Sequence, residues 1–409
     1  MRELPIRPII ASLRRHRLVA LLLVLQVAAT CAVICNVGFM VVGRVQRMHM
    51  PSGVDEQGLV TIRAQDLHPR SDVLARHQQD LALLRALPGV RSAALVDSLP
   101  FSRDTWQVGA TDAGGGADSP HVRVVLFSGT PGELATLGIK LIAGNDFAPD
   151  DYVPMGAADN YSGLNRVDDL IISQDLAQHF FPGRSAVGRQ IRIDQRDRRI
   201  VGVFATLAMP SPGRAKAPDY TAFTPMLPDD TYAIYALRCV PAACDAVGRK
   251  ASDVLLAAAS DRLLSPPQRF SELRAQFFQR DRTMIDLLIA SALGLLFVTA
   301  LGIAGLANFW VQQRTRTIGI RRAIGATRGD ILHYFQVENF LIVGLGVLLG
   351  VVLALVLNLV LMRHYELSRL PLYYLPLGAV LLWLLGQGAV LAPALRAARV
   401  PPMGATRGG

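Results

Sequence analysis

The chain has 409 residues, of which 51% are hydrophobic and only 18% are charged. This length allows two or three domains, and this composition is too apolar for an ordinary soluble protein. The formal net charge is +10. Such an excess fits nucleic-acid binding, an anionic surface or a membrane topology signal, so the position of the charge must be settled first.

Four uncharged stretches organise the chain, at residues 18–43, 287–313, 339–362 and 370–395. Each is longer than the roughly 20 residues that cross a hydrocarbon core as a helix. Residues 44–286 mix charges of both signs with strand-like and helix-like segments. The sequence therefore predicts a membrane α-helical protein with four transmembrane helices and a large aqueous α/β domain inserted between the first and second helices.

The arginines predict the topology. Residues 1–17, 314–338 and 396–409 carry net charges of +4, +3 and +3 and fall on the same side of a four-span chain. The inserted block 44–286 carries −1, and the short loop 363–369 carries +1. The positive-inside rule then places both termini and the 314–338 loop in the cytosol, with the inserted domain outside. Because no nucleic-acid recognition motif accompanies the charge, nucleic-acid binding is not predicted.

Two other interpretations of the first stretch are weaker. A cleaved signal peptide has an apolar run of about 7–15 residues and a small-residue cleavage site, whereas this run is longer and lacks that site before a polar start. The residues Ala28-Ala29-Thr30-Cys31 resemble a lipoprotein cleavage box, but Thr30 precedes the cysteine and mostly apolar residues follow it. We therefore expect a spanning helix.

The four cysteines divide by compartment. Cys31 and Cys35 lie one helical turn apart in the first span, where small thiols pack well. Cys239 and Cys244 lie close together in the exported block, so a disulfide between them is expected in an oxidising space. A zinc site there would need two more ligands, and no His or Cys lies close in sequence, so no metal site is predicted.

Local patterns in the inserted block predict both strands and helices. Runs of β-branched residues predict strands, and 3.6-residue spacing predicts helices. The predicted strands are 59–62, 122–127, 191–193 and 200–203, and the predicted helices are 71–87 and 173–180. Residues 113–118, which include three glycines, are expected to form a flexible loop.

The last helix of the block, near 268–286, is predicted to form a stalk that leads into the second span. Its apolar residues Phe270, Leu273, Phe277 and Phe278 share one face. That face needs a partner outside the membrane. We expect the partner in the continuation of the first span, near residues 45–50.

Motifs for catalysis or cofactor binding are absent from the sequence. The three lysines, Lys140, Lys216 and Lys250, lack the glycine spacing of a phosphate-binding P-loop. Neither H-E-x-x-H nor G-x-S-x-G occurs. The sequence therefore predicts no catalytic residue and no cofactor in this chain.

The loop 314–338 is amphipathic, and its helix is expected to end at Gly325. It combines apolar residues with arginines, in the order Arg316, Ile318, Ile320, Arg321, Arg322, Ala323, Ile324, Arg328 and Ile331. One interpretation is a helix that lies on the membrane surface. The other is a helix that docks in a groove of a separate protein, with the arginines pairing with acidic residues of that protein.

Two features of the third span have two interpretations each. Glu338, at its cytosolic entrance, is either an interfacial charge or an anchor for the arginine loop. Gly344, Gly346 and Gly350 include a G-x-x-x-G motif, which serves either packing within one subunit or a dimer contact. Before the first span, residues 1–17 are predicted to form an interfacial amphipathic helix.

The amphipathic loop also carries a family resemblance. Residues 316–328 read R-T-I-G-I-R-R-A-I-G-A-T-R and are followed by Ile331-Leu332 and Phe335-x-x-Glu338. This pattern resembles the cytoplasmic loop of permeases in the MacB/FtsX superfamily of ABC transporters. Residues 393–402 resemble the family's C-terminal tail. The family's periplasmic core domain resembles this chain at residues 87–90, 137–147, 186–189 and 200–203. The resemblance covers nearly the whole chain, and the loop motif is long and specific.

The resemblance implies that the loop couples the permease to a separate ABC ATPase, which binds ATP and Mg²⁺. The implied coupling residues are Arg316, Ile318, Gly319, Ile320, Arg321, Arg322, Ile324, Gly325, Arg328 and Glu338. It also implies a bacterial inner-membrane location with cytoplasmic termini and a periplasmic inserted domain. Thr317 stands where the family commonly has Glu, and Pro401 where it has Asp, and these departures bear on the affinity for the ATPase.

The function implied by the resemblance is mechanotransmission, in which ATP hydrolysis by the partner ATPase reshapes the periplasmic domains of two permeases. Export of drugs, peptides or toxins, through a periplasmic adaptor and an outer-membrane channel, is the first expectation. A lipoprotein-release permease and a non-transporting regulator of a cell-wall hydrolase are the alternatives. The second permease is either an identical copy or a paralogue, and membrane lipid surrounds the spans.

Overall fold

The structure is a computed structural model that describes residues 17–68, 71–103, 106–114, 121–211, 219–365 and 370–398. The predicted N-terminal helix at 1–17 and the predicted tail at 396–409 lie outside these ranges, except for Arg17 and residues 396–398. Most of the glycine loop at 113–118 lies outside them as well.

Helices form the membrane part and cover parts of the inserted domain. In chain order the described residues contain α1 (Arg17–Met48), α2 (Val73–Arg85), α3 (Glu133–Leu137), α4 (Gln174–Phe180), α5 (Cys244–Ala258), α6 (Phe270–Phe277), α7 (Gln279–Gln313), α8 (Thr315–Ala323), α9 (Arg328–Tyr365) and α10 (Tyr374–Ala398).

Strands lie in the inserted domain. They are β1 (Leu59–Asp66), β2 (Val90–Val96), β3 (Trp106–Asp112), β4 (Val122–Ser128), β5 (Leu141–Gly144), β6 (Val153–Pro154), β7 (Asp169–Ser173), β8 (Gln190–Ile193), β9 (Arg196–Phe204), β10 (Thr221–Thr224), β11 (Met226–Leu227), β12 (Tyr232–Cys239), β13 (Arg262–Leu264) and β14 (Gln268–Arg269).

The chain divides into two compact units. A helical unit contains the chain before His49 and after Arg280, and the second unit is His49–Arg280. Among the described residues, α1, α7, α9 and α10 are long and apolar enough to cross a membrane. These helices contain the four uncharged stretches, except for the first residues of the stretch 370–395. Some of the helices are longer than the uncharged stretches, because charged residues continue the helix beyond its apolar part.

Within the helical unit, α1 lies against the other spans. Thr30 Oγ1 and Thr299 Oγ1 are 2.8 Å apart in a buried hydrogen bond between α1 and α7. Asn36 Nδ2 donates to the backbone oxygen of Ala354 in α9 at 3.1 Å. These bonds hold polar side chains inside an apolar bundle, where an unpaired polar group is costly.

The glycines of the third span pack within the chain. A methyl group added at Gly350 would lie 2.4 Å from Cys31 Cβ, and one added at Gly346 would lie 2.7 Å from Val27 Cβ. Among the described residues outside the backbone of α9 itself, a methyl group added at Gly344 would meet nothing within 4 Å. The motif Gly346-x-x-x-Gly350 therefore serves the close approach of α9 to α1 in one subunit.

Among the described residues, the inserted domain has a five-stranded sheet, a seven-stranded sheet and a two-stranded sheet of β6 and β11. The five-stranded sheet is antiparallel, with the order β13-β1-β12-β2 and β14 also paired with β1. Helices α2 and α5 complete its core, which includes Leu84 of α2 and Leu255 of α5. The predicted strand at 59–62 is the first half of β1, and the predicted helix at 71–87 is α2, which is shorter at both ends.

The seven-stranded sheet has the order β5-β9-β7-β10-β4-β3-β8, and β8 also pairs with β9, so that it closes on itself. Its interior is filled by apolar side chains such as Leu126, Ile172 and Ile193, each fully buried. The predicted strands at 122–127, 191–193 and 200–203 lie within β4, β8 and β9, and the predicted helix at 173–180 is α4 with Ser173 as its cap.

A disulfide joins the five-stranded sheet to a helix. Cys239 ends β12 and Cys244 begins α5, their sulfurs are bonded, and their Cα atoms are 5.6 Å apart. Both cysteines are buried. Cys31 and Cys35 are free and buried in the helical unit. Among the described residues, no group of three or more His, Cys, Asp or Glu is arranged to hold a metal ion.

The predicted stalk is broken into two helices, because α6 ends at Phe277 and α7 begins at Gln279. The prediction placed its aromatic face against residues 45–50. In the structure that face packs on Phe101, whose ring centroid lies 5.3–6.2 Å from the rings of Phe270, Phe277 and Phe278. Arg274 Nη2 of the same helix donates to the backbone oxygen of Met50 at 2.6 Å. Phe101 is distant in sequence and lies in a loop, so helical periodicity gave no signal for it.

Candidate functional site

Arg314 lies between α7 and α8 and forms an ion pair with Glu338 of α9. Arg314 Nη1 is 2.9 Å from Glu338 Oε2, and Arg314 Nη2 is 3.2 Å from Glu338 Oε1. The Glu338 side chain is only 1% exposed, and the Arg314 guanidinium also lies 5.8 Å from the ring centroid of Trp310. A bidentate pair fixes the orientation of both groups, so it determines where α8 starts. This geometry favours the anchor interpretation of Glu338.

Helix α8 has a buried side and an exposed side. Ile318 is 4% exposed and belongs to the core of the helical unit, together with Trp310 of α7 and Phe335 of α9. Gly319, next to it, is buried as well. These two residues were predicted to contact an ATPase. Both are buried against the bundle in this structure, and their contact with an ATPase stays a prediction.

The exposed side of α8 and the turn after it carry both apolar and basic residues. Ile320 is 46% exposed and Ile324 is 82% exposed, although isoleucine is among the residue types most often buried in proteins. Arg316 and Arg328 are exposed in the same segment. Within α8, Arg316 and Ile320 lie roughly opposite Ile318 on a helical projection, because each is two residues from it and successive residues are about 100° apart.

A turn separates α8 from α9. Gly325 has a φ of +102°, a left-handed value that glycine adopts without strain, and it ends the helical segment as predicted. Thr327 and Asp330 then cap α9 reciprocally: Thr327 N donates to Asp330 Oδ2 at 2.9 Å, and Asp330 N donates to Thr327 Oγ1 at 3.2 Å. Asp330 was missed by the sequence reasoning, although Thr-x-x-Asp before an apolar run is the signal of such a cap.

The structure therefore brings the predicted residues to one end of the helical unit but buries some of them and exposes others. Ile318, Gly319 and Glu338 are buried, and Arg316, Ile320, Ile324, Gly325 and Arg328 are exposed. Arg321 and Arg322 lie within the backbone span of α8, and their side chains fall outside the described part of the structure. Arg314, which pairs with Glu338, was missed as a site residue because it lies two residues before the motif.

A second set of ion pairs lies at the other end of α7. Asp281 is 4% exposed, and its Oδ1 accepts from Arg44 Nη1 at 2.5 Å. Its Oδ2 accepts from Arg47 Nη2. Both arginines belong to the last turns of α1. Helix α7 is thus tied by charge to α1 near its first residue and to α9 just after its last.

Comparison with protein families identifies the architecture. Residues 27–261 match the MacB-like periplasmic core domain, which is more than half of the chain, and residues 289–402 match the C-terminal domain of FtsX-like permeases. The chain is a permease of the MacB/FtsX superfamily. The FtsX-like match of this permease includes most of α7, all of α8 and α9, and therefore the Arg314–Glu338 pair.

Relatives of this ABC transporter permease are named as exporters. It is 30% identical over 258 residues to macrolide export ATP-binding/permease protein MacB 1 of Aeromonas hydrophila, covering 57% of this chain and 37% of that protein. It is 28% identical over 203 residues to the MacB protein of Psychrobacter cryohalolentis, covering 47% of this chain and 30% of that one. The permease thus spans about a third of the length of the curated relatives it matches.

Among solved structures, the permease is similar to the periplasmic region of MacB from Actinobacillus actinomycetemcomitans. The two are 12% identical, with a TM-score of 0.31, over 54% of this chain and 94% of that one.

Proposed function

We propose that this permease receives ATP-driven movement from a partner ABC ATPase at helix α8 and transmits it to its periplasmic core domain. The observation that carries the proposal is the two-sided helix α8, whose inner residue Ile318 is packed in the bundle while Ile320 and Ile324 stay exposed. An apolar pair at the end of a bundle, with arginines beside it, has the composition of a docking surface.

The chemistry of the exposed surface indicates the partner. Ile320 and Ile324 would enter an apolar groove, and Arg316 and Arg328 would meet acidic residues at the rim of that groove. A helix lying on lipid would also bury these isoleucines. Docking to a protein is favoured because the family match identifies an ABC transporter permease, and such a permease works with an ATPase. ATP and Mg²⁺ would be bound by that ATPase, and this chain would be non-catalytic.

The ion pairs at both ends of α7 support transmission along that helix. A displacement of α8 would reach α7 through Arg314, because Arg314 is the residue that separates them. At the other end, Asp281 ties α7 to Arg44 and Arg47 of α1. A continuous helix that is held at both ends moves as a unit. Movement at α8 would therefore shift α7 and, with it, the segment that connects α7 to the core domain.

The outer surface of α7 fits a second permease, identical or paralogous. Its apolar side chains are largely uncovered within this chain, for example Leu293 at 61%, Phe297 at 65% and Leu301 at 56% exposed. In a membrane these side chains would meet lipid or the same helix of the second permease. The protein would thus function as a dimer in a bacterial inner membrane, with its termini and α8 in the cytosol.

Export is the transport role that we propose, because the core domain matches the MacB-like family and curated relatives carry macrolide export in their names. Drugs, peptides or toxins would be moved from the periplasm through an adaptor and an outer-membrane channel. Identification of the proteins that co-purify from native membranes tests this step. An adaptor supports export, whereas a lipoprotein or a cell-wall hydrolase as the main partner would overturn it.

Ile320→Asp is the sharpest test of coupling, because it places a charge on the proposed docking surface without touching the core. The variant should insert in the membrane but fail to retain, or to stimulate, the ATPase that co-purifies with the unaltered permease. Ile324→Asp should act in the same way. ATPase activity in nanodiscs is the measurement.

Ile142→Asp is the matched control, since Ile142 is an isoleucine of the core domain that is 53% exposed. It should leave ATPase stimulation unchanged. Normal stimulation in both the Ile320 and Ile324 variants would contradict the docking role, and so would hydrolysis of ATP by the purified permease alone.

A further inference from the structure

The five-stranded and the seven-stranded sheet of the core domain meet at a short junction. The residues that follow β2 of the five-stranded sheet bond to those that end β4 of the seven-stranded sheet. Asp97 N donates to the backbone oxygen of Ser128, and Ser128 N donates to Asp97 Oδ1, both at 2.9 Å. Thr130 N donates to the oxygen of Leu95 at 2.9 Å, and Leu95 N donates to Thr130 Oγ1 at 3.0 Å. We call these four residues the junction.

The carboxyl group of Glu133 is buried beside the junction. Glu133 begins α3, is 1% exposed, and neither of its side-chain oxygens has a hydrogen-bond partner among the described residues. It occupies a space that Gly129 leaves open, since a methyl group at Gly129 would lie 2.1 Å from Glu133 Oε2. Gly129 itself bridges to Val96 and so belongs to the connection between the sheets.

Acidic groups from both sheets surround this carboxyl group. Asp97 follows β2 and Asp146 follows β5, and the negative charge of each raises the pKa of Glu133, in addition to the larger effect of burial. Burial, followed by the charges of Glu133, Asp146 and Asp151, raises the pKa of Tyr152. Burial also raises the pKa of Asp97, to about 7.

Positive charge on the packed elements is directed elsewhere. Helix α3 packs on β2 and β12, and Arg238 of β12 contacts α3 through its backbone, donating from Nε to the oxygen of Thr136 at 2.9 Å. Its Nη1 donates to the backbone oxygens of Asp55 and Gln57 and lies 3.3 Å from the Asp55 carboxylate. A buried carboxylate without a counter-charge or a hydrogen-bond donor is costly, and the least costly form is the neutral acid.

We propose that Glu133 is a proton-binding site that controls the junction between the two sheets, keeping it closed while the proton is bound and loosening it when the proton leaves. Loss of the proton places an unpaired negative charge beside Asp97 and Asp146. Movement of α3 or of the Asp97–Ser128 connection would let water reach the carboxylate and relieve this cost. That the pH outside the cytosol sets the occupancy of this site rests on the proposed topology. The proton-binding site itself does not depend on that topology.

The sign of the pH dependence follows from linkage. The folded state holds the Glu133 proton at pH values where the unfolded chain has released it, so folding is favoured less as pH rises above the ordinary pKa of 4.5. Opening of the junction should grow by up to about tenfold per pH unit above the pKa that Glu133 has in the open junction, and should level off above the raised pKa of the closed junction.

The first experiment measures the proton directly. Full-length protein in lipid nanodiscs is compared with Glu133→Gln by infrared difference spectroscopy at pH 6.5. We expect the C=O stretch of a protonated carboxyl group in the unaltered protein and its loss in the variant. The carboxylate band of an ionised Glu133 in the folded protein would overturn the proposal.

The second experiment measures the junction by hydrogen exchange of its backbone amides, corrected for the intrinsic pH dependence of exchange. Protection in the unaltered protein should fall between pH 6 and pH 9. Glu133→Gln should remove this response, and Asp150→Asn, which alters an exposed carboxylate of the same domain, should retain it. Asp97→Asn serves if the glutamine variant fails to fold: with one negative charge removed, the loss of protection should shift to lower pH. Protection that is independent of pH in the unaltered protein, or no shift in Asp97→Asn, would contradict the proposal.

Discussion

Glu338 accepts from Arg314 with both of its carboxylate oxygens, and the pair lies where the chain leaves one membrane helix and begins α8. One partner is almost fully buried and the other is 20% exposed. The energy of such a pair depends on its geometry, and removal of one partner leaves the other charge desolvated. The pair is therefore a structural anchor, and we expect its loss to lower both the stability of the helical unit and the coupling to the partner ATPase.

Glu338→Gln should destabilise the helical unit by about 2–4 kcal/mol, because it removes the buried carboxylate that forms a bidentate pair with the Arg314 guanidinium. Reversible unfolding in mixed micelles, followed by circular dichroism, measures this change. Stimulation of the partner ATPase should fall as well, since α8 would lose its fixed starting point. The matched control is Asp286→Asn, which removes an exposed carboxylate of the same unit. Equal stability of the two variants would refute the anchor.

Gly350 and Gly344 provide a paired test of helix packing in the third span. Gly350→Val should prevent the close approach of α9 to α1, because an added methyl group would lie 2.4 Å from Cys31 Cβ. Gly344→Val adds the same side chain at a position where no described residue outside the backbone of α9 lies within 4 Å of the added methyl group. We expect a loss of at least about 2 kcal/mol for the first variant, from overpacking, and little change for the second.

The readout is thermal stability of the monomeric protein in detergent. If Gly344→Val were the more destabilising variant, the assignment of Gly346-x-x-x-Gly350 to packing within one chain would be wrong.

Long apolar helices were predictable from sequence because their signal is strong and local. Each predicted span lies almost entirely inside one observed helix. The search for uncharged stretches also located the charged residues that border each span. Strands of the inserted domain were predicted less completely. β7 and β12 were missed, since nearly all their residues are buried and neither alternates between apolar and polar. Helix α5 was missed as well, although Val247, Ala251 and Leu255 recur every fourth residue on its buried face.

The candidate site was predictable as a segment but not as a surface. The motif identified residues 316–328, yet burial separates Ile318 from Ile320 only after α8 is placed against the bundle. The partners of the anchoring charges are distant in sequence: Arg314 is 24 residues from Glu338, and Arg44 is 237 residues from Asp281. Such contacts follow from tertiary structure, and local spacing carries no information about them.

The disulfide between Cys239 and Cys244 should stabilise the core domain by about 2 kcal/mol, because it closes a short loop in the unfolded chain. Reduction should lower the urea midpoint of the core domain in the unaltered protein. The double variant Cys239→Ala/Cys244→Ala should have the lower midpoint with or without reductant. Cys31→Ala/Cys35→Ala is the control, since those buried thiols are free, and it should retain the response to reductant. A midpoint that does not respond to reductant in the unaltered protein would contradict the prediction.

His77 should make the core domain less stable in mild acid. This residue of α2 is 4% exposed, its ring lies 6.2 Å from that of Tyr235, and Nδ1 is 3.2 Å from the oxygen of Pro228. Burial lowers the pKa of His77 from 6.5, although the bond to Pro228 and the charges of Asp80 and Asp66 oppose this effect. The unfolded chain therefore binds the proton first as pH falls below about 6.5, and the free energy of unfolding decreases by up to about 1.4 kcal/mol per pH unit.

His77→Gln keeps a side-chain donor near Pro228 but cannot titrate, so it should reduce this loss between pH 6.5 and pH 5. The measurement is hydrogen exchange of the α2 and β12 amides in urea at several pH values. Glu133 gives a slope of the opposite sign, and subtracting the curve of the variant from that of the unaltered protein isolates the histidine. His121→Gln, at an exposed histidine of the same domain, should leave the acid slope intact. Identical slopes in the unaltered protein and His77→Gln would show that His77 takes up its proton equally in the folded and unfolded chains, and the burial argument would then fail.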